Sequence, residues 1–283
     1  RVDGGEFNSA PLTLVEGNRY QASLPGQPIG ALVEFYLHAV DAAGNAAVSP
    51  VDAPNSLYEI YVVLDFFSDN VETDRGWTLS LPNDTGAGRW VRVDPYGTTY
   101  QGNQIEPADD HTPSPGTLCF VTGQGTEGGS AGLSDVDGGC VHLTSPAMDL
   151  SQAAEAIVSY WRWFAVAGPS DANFNAQVTS NGGLTWVPLE SLTTSANTWT
   201  QRTFDLRDIV RFTNQVRFRF VACDTGSESL VEAAIDDFAL EGVPGVSGAS
   251  DPRPAARTIL YTNRPNPFSA ETHIGFRLAS AGP

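Results

Sequence analysis

Ten short runs of alternating or wholly apolar residues, each closed by a cluster of Gly, Pro, Asn or Asp, fill residues 63–244 with no convincing amphipathic helix among them. The runs include "RWVRVD", "TLCFVTG", "EAIVSYWRWFAV", "FNAQVTS", "QVRFRFVA" and "EAAIDDFALEG". A period of two residues marks strands, and helices need 3.6. In "QVRFRFVA", Val216, Phe218 and Phe220 alternate with Arg217 and Arg219, so one face is buried and the other wet. Ten strands in about 180 residues predict an all-β protein, with a two-sheet jelly-roll sandwich as the natural closure.

Composition agrees. Hydrophobic residues make up 41 % and charged ones 17 %, with 28 Gly and 19 Pro, the profile of strands joined by turns. The 33 acidic residues face 15 basic ones, all arginine, for a net charge of −18. That charge repels phosphate backbones and anionic head groups, which argues against nucleic acid and membrane surfaces as partners and favours cations. No run of 18 apolar residues is present to span a membrane.

The flanks differ from the middle. Residues 1–62 hold too few strand-like runs for a closed sandwich; "VEFYLHAVDAAGN" resembles a late strand and turn of immunoglobulin-like or fibronectin-like modules, so this zone is expected to be the C-terminal part of one. Residues 245–257 form a Gly/Pro/Ser/Ala linker. In residues 258–283, Pro265, Asn266, Pro267, Phe268 and Thr272 resemble the opening of C-terminal sorting modules of secreted bacterial proteins, and the chain stops before such a sheet completes, giving a truncated β tail.

Residues 63–244 resemble the MAM-like jelly-roll modules found downstream of the catalytic domain in secreted bacterial zinc metallopeptidases. The resemblance rests on "GWT", "ADDHTP", "FVTG", "DVDGGCVHLTSPAMDLS", "SYWRWF", "SNGGLTWVPLE" and "VEAAIDDF", which occur in that order. It implies a non-catalytic accessory module, secreted or on the cell surface, with the parent's catalytic domain as partner and a structural calcium ion. Calcium takes six to eight oxygen ligands gathered from loops and strand ends. By resemblance Asp236 and Asp237 supply them near the end of the last strand, with Asp109 and Asp110 from "ADDHTP". Phe67 stands where the family often has an acid, which leaves Asp69 or Asp65 as the first-strand substitute. Strand alternation sends Asp236 and Asp237 to opposite faces, so at most one is expected to point inward.

Two smaller motifs read as structure: "DVDGG" at 135–139 as an Asp-Gly turn, and "TSNGGLTW" at 179–186 as an Asp-box-like hairpin. Cys119 and Cys140 lie in strand-like segments and are candidates to bridge in an oxidising compartment; Cys223 reads as a buried free thiol. In "SYWRWF", Trp161 and Trp163 share one face while Tyr160, Arg162 and Phe164 share the other. Ile157 and Ala165 extend the tryptophan face, so the tryptophans are assigned to the core, leaving Tyr160 and Arg162 as the residues available to stack on a sugar. No HExxH, GxSxG, P-loop or dinucleotide motif occurs. The alternative to a peptidase accessory module is a carbohydrate-binding module or surface adhesin, with polysaccharide or protein substrate as the partner.

Overall fold

The computed structural model of the chain describes residues 1–16, 19–41, 43–82, 84, 86–168, 171–226 and 229–245, and the backbone of 259–260 and 276–277. The protein is all-β, with no helix among the described residues. It divides into two compact units, Arg1–Leu64 with Val246–Pro283, and Asp65–Gly245.

In its N-terminal part the first unit contains, among the described residues, three two-stranded antiparallel sheets: β1 (Thr13–Glu16) with β2 (Arg19–Gln21), β3 (Leu32–Phe35) with β6 (Tyr58–Tyr61), and β4 (Leu37–Val40) with β5 (Ala46–Ser49). Ala31 and Val33 are its buried apolar residues.

The second unit is a two-sheet jelly-roll sandwich. Its strands are β7 (Leu64–Asp69), β8 (Trp90–Val93), β9 (Thr99–Tyr100), β10 (Asn103–Gln104), β11 (Cys119–Thr122), β12 (Gly139–Thr144), β13 (Ala153–Ala167), β14 (Asn173–Thr179), β15 (Val187–Leu192), β16 (Thr200–Asp205), β17 (Arg217–Asp224) and β18 (Leu230–Pro244). The larger sheet runs β16-β13-β18-β11-β8, with β7 also on β18, and the smaller runs β12-β17-β14-β15. In the tail, β19 (Ile259–Leu260) pairs with β20 (Phe276–Arg277). The rest of the linker and of the tail, with the Pro265–Phe268 phrase and Thr272, lies outside the described residues.

Alternation builds the core. Phe174, Ala176 and Val178 of β14 and Phe218, Phe220 and Ala222 of β17 meet Ala156, Val158, Tyr160 and Phe164 of β13 and Val231, Ala233 and Ile235 of β18. On β18 the inward set then changes phase, continuing with Phe238 and Leu240. The "TSNGG" hairpin folds on side-chain hydrogen bonds: Thr179 Oγ1 donates to Asn181 Oδ1 at 2.7 Å, which also accepts the Thr185 N–H at 3.0 Å.

The sidedness of β13 is opposite to the sequence expectation. Tyr160 is fully buried in the main core and Arg162 is 6 % exposed, so neither can stack on a sugar. Ala156 and Val158 extend their face inward, and Glu190 on β15 satisfies both polar ends: it accepts the Tyr160 hydroxyl at 2.8 Å and pairs with Arg162 at 3.3 Å and Arg202 at 2.9 Å. A buried guanidinium is tolerated when a carboxylate is built in beside it.

The cysteine assignment is also corrected. Cys140 and Cys223 are directly opposed on β12 and β17 and form the disulfide, while Cys119 is the buried free thiol. Alternation places a cysteine on a face but carries no inter-strand register, and register decides which sulfurs meet. Non-reducing peptide mapping is expected to recover a Cys140–Cys223 cross-link and a Cys119 thiol that reacts only after denaturation. Phe220→Ala, which removes a ring packed against Trp77, Tyr160 and Phe174, is expected to cost about 3–5 kcal/mol in urea denaturation.

Candidate functional site

Between β8 and β11 the chain runs as a strap, residues 94–118, over the outer face of the larger sheet. The tryptophans of that face hold it. Trp163 Nε1 donates to the Ile105 carbonyl at 2.6 Å, Trp199 Nε1 to the Asp109 carbonyl at 3.2 Å, and Asn197 Nδ2 to the Gln104 carbonyl at 2.6 Å. The His111 ring stacks on Trp161 with centroids 3.6 Å apart. Ile105 enters a second small core with Cys119, Val121, Trp163, Ala165 and Ala234. Both faces of β13 are therefore covered, one by the smaller sheet and the other by the strap.

The two aspartates of "AIDDF" secure the far end of the strap. Between Ser159/Ala239 and Trp161/Asp236 the β13–β18 register slips by one residue. Asp237 occupies this bulge at φ 46°, a left-handed conformation that aspartate tolerates better than most side chains. The bulge breaks the expected alternation, and both carboxylates reach the same strap segment. Asp236, fully buried, accepts the N–H groups of His111 at 2.8 Å and Thr112 at 3.1 Å on Oδ2, and that of Asp237 at 2.7 Å on Oδ1. Asp237 contacts His111 Nδ1 at 2.7 Å and accepts the Thr112 hydroxyl at 2.9 Å. Burial, then the charge of Asp237, pushes the Asp236 carboxyl up, against the pull of its N–H donors.

The other acids proposed from sequence separate by role. Asp69 is committed to its own turn: it accepts the Val71 N–H at 2.9 Å and Trp77 Nε1–H at 2.8 Å. Asp109 is exposed. Asp110 holds a buried Oδ2 with no hydrogen-bond partner, and its carboxyl is pushed up to about 6 by burial, then by Glu72, Asp237, Asp109 and Asp94. Glu72, which the sequence reading did not select, accepts the N–H groups of Thr117 and Leu118, each at 2.8 Å. Among the described residues, no three His, Cys, Asp or Glu side chains converge where a metal ion would sit.

Two further acids lie under the strap. Glu106 is 1 % exposed, with Oε1 unpartnered, and Glu232 is 4 % exposed, with Oε2 accepting the Thr122 hydroxyl at 2.8 Å. Burial pushes Glu106 up to about 8; burial and then the charge of Glu106 raise Glu232 well above the ordinary range.

Beside the other end of the strap lies an open groove of about 490 Å³. Tyr100, Gln101, Asn103 and Ile105 form one wall, the end of β13 (Val166–Gly168) the floor, and Ser195 and Asn197 the other wall. The β9–β10 hairpin turns on Gln101 and Gly102, both at positive φ, the pattern of a two-residue type I′ turn. That turn leaves Tyr100 41 % exposed. No acidic or basic side chain lines the groove. Sequence reasoning missed it because its walls come from loops about a hundred residues apart, and "YQGN" was the one local signal.

No family model matches this sequence, and no curated protein does. Among solved structures, the K1 cleaved adhesin domain of Lys-gingipain from Porphyromonas gingivalis W83 is 14 % identical, with a TM-score of 0.36 over 64 % of this chain and 98 % of that one. The C-terminal family 22 carbohydrate-binding module of Clostridium thermocellum Xyn10B is 13 % identical, with a TM-score of 0.35 over 64 % and 94 %. TmCBM61, solved in complex with beta-1,4-galactotriose, is 15 % identical, with a TM-score of 0.32 over 58 % and 87 %. These are likenesses of fold.

Asp236→Ala strips the acceptor from two strap N–H groups, and amide hydrogen exchange is expected to accelerate across 104–112 while β14 and β17 stay protected. Glu106 and Glu232 set a pH dependence. Their folded values are raised, so the unfolded chain loses these protons first, above about 4.5. Stability is therefore full below that pH and falls as pH climbs toward 8, the folded value of Glu106. Thermal melting from pH 4.5 to 8.5 is expected to show the fall, and Glu106→Gln, neutral at every pH, to make it shallower while Glu232, Asp236 and Asp110, also raised, keep the remainder.

Proposed function

We propose that this chain is a non-catalytic carbohydrate-binding module of a secreted or cell-surface bacterial protein, and that it takes a neutral saccharide in the Tyr100–Asn197 groove. The observation that carries this reading is the chemistry of the lining. In a chain of net charge −18, the groove presents two side-chain amides from the hairpin, a third from Asn197 and one exposed phenol ring, with no charged group, while the Ser195 hydroxyl is bonded to the Val166 backbone. Amides donate and accept at once, as vicinal sugar hydroxyls require, and an exposed aromatic ring offers a stacking face. General acid–base chemistry on a glycosidic bond needs a pair of carboxyl groups about 5–10 Å apart, and the lining contains none. The Cys140–Cys223 disulfide supports an oxidising, extracellular setting.

A structural calcium ion is a second part of the proposal, and Asp110 is the observation that favours it. Its buried, unpartnered oxygen sits in the field of Glu72, Asp237 and Asp109, and a cation there would relieve both the missing partner and the repulsion. Asp69, Asp236, Glu72 and Asp237 already spend oxygens on protein donors, so Asp110 is the side chain we assign to the ion, with backbone carbonyls and water completing its oxygen shell. The immunoglobulin-like N-terminal zone, the sorting tail and an attached zinc metallopeptidase domain are proposed on the sequence resemblances.

Affinity electrophoresis against neutral polysaccharides, xylan and galactan among them, is expected to retard the protein, with Tyr100→Ala and Asn197→Ala each weakening binding about tenfold. Mobility unchanged by every neutral polysaccharide would contradict the groove assignment. For calcium, the melting temperature is expected to fall in EDTA and to recover with added calcium, and Asp110→Asn to remove that difference. Identical melting curves with and without chelator retire the ion.

A further inference from the structure

The outer face of the smaller sheet carries a second set of polar groups, apart from the groove and partly bonded among themselves, as in the Asn175 Nδ2 donation to Asn173 Oδ1 at 2.6 Å. There β14 presents Asn173, Asn175 and Gln177 at alternate positions, each half-buried. Beside them β17 presents Arg217 and Arg219, with Gln177 directly opposite Arg219. Arg219 Nε donates to Gln177 Oε1, and its guanidinium lies 4.2 Å from the centroid of the half-buried Trp186 ring. Arg217 Nη1 donates to the Ser145 carbonyl at 3.1 Å, and its buried Nε has no partner.

Ion pairing divides the described arginines: Arg75, Arg89, Arg92, Arg211, Arg217 and Arg219 have no ion-paired carboxylate, and of these Arg217 and Arg219 stand two residues apart on one strand face. Acids outnumber bases 33 to 15 in this chain, and Arg1, Arg162, Arg202 and Arg207 all pair with carboxylates. Among the described residues, Arg217 and Arg219 make no ion pair, although they share one strand and one face. The titratable group that β12 adds to this face, His142, is itself tied to Asp84, whose side chain is fully buried. Burial lowers Arg219 from the ordinary guanidinium value, a penalty that an incoming anion offsets.

We propose that this face binds a carboxylated polysaccharide, Arg217 and Arg219 receiving its uronate groups and the amides of Asn173, Asn175 and Gln177 its hydroxyls. Guanidinium is suited to this because its planar fork meets a carboxylate with two parallel donors, and the contact with the Trp186 ring holds the Arg219 fork in place. An acidic peptide fits less well. Peptides add to a sheet at its edge through backbone bonds or fill apolar grooves, whereas β14 and β17 are interior strands and their outer face is polar. Nucleic acid requires many phosphate contacts, more than the two arginines of this face supply. The residues are distinct from those of the neutral-saccharide groove, so the two readings stand or fall separately.

The test is affinity electrophoresis and calorimetry of the whole chain with polygalacturonic acid, with xylan as the ligand of the other site and poly-glutamate as acidic peptide control. Polygalacturonate is expected to bind, more weakly as salt rises. Arg219→Gln is expected to weaken binding about tenfold or more, Arg219→Lys to restore part of it, and Tyr100→Ala to leave it unchanged. Melting curves of the variants verify folding, and Trp186→Ala supplies an independent loss if Arg219→Gln proves unstable. Absence of polygalacturonate binding, retention of full affinity in a folded Arg217→Gln/Arg219→Gln double variant, or equal affinity for poly-glutamate each overturns the proposal.

Discussion

A fully buried carboxylate that collects strap amides holds the outer face of this sandwich together. Asp236 takes the N–H groups of His111 and Thr112, and a lost acceptor here leaves buried donors unsatisfied at about 1–3 kcal/mol each. The strap is otherwise poor in regular structure, with the two-residue strands β9 and β10 as its pairing. Side chains that reach its backbone therefore replace a ladder: Trp163, Trp199 and Asn197 serve its carbonyls, and Asp236 serves its amides. The bulge at Asp237 lets both aspartates serve one segment.

The groove inherits its shape from that arrangement. One wall is the β9–β10 hairpin, the other is the loop carrying Asn197, and Asn197 itself binds the strap through the Gln104 carbonyl while lining the groove. One side chain thus both positions the strap and lines the groove. Burial pushes the Glu106 carboxyl up to about 8, and burial, then the charge of Glu106, raises Glu232, which disfavours negative charge at both acids. On the smaller sheet, two arginines stand without carboxylates on a face lined by amides.

Much of the fold was legible because alternation reports burial directly. "QVRFRFVA" became β17 with Phe218 and Phe220 in the core and the arginines outside. Legibility ended where a physical decision is not local. The side of β13 that faces inward depended on Glu190, about thirty residues away, which is able to neutralise a buried arginine. Disulfide choice depended on β12–β17 register, and the aspartate pair depended on a bulge that alternation cannot foresee. The strap's dense Gly, Pro and Asp content signals loops and says nothing about what they cover, so the groove had no signature beyond "YQGN". Of the acids named from sequence, Asp236 and Asp237 do meet at one place, with backbone amides as the partners visible there.

In the proposed function the strap and the β15–β16 loop together form the surface that holds a neutral saccharide. Hydrogen exchange of the chain with and without a saturating neutral oligosaccharide tests it most directly. The account predicts added protection confined to residues 100–105 and 195–197, with 173–177 and 217–219 unchanged. Protection confined to the smaller sheet, or none anywhere in the presence of measurable binding, would contradict it.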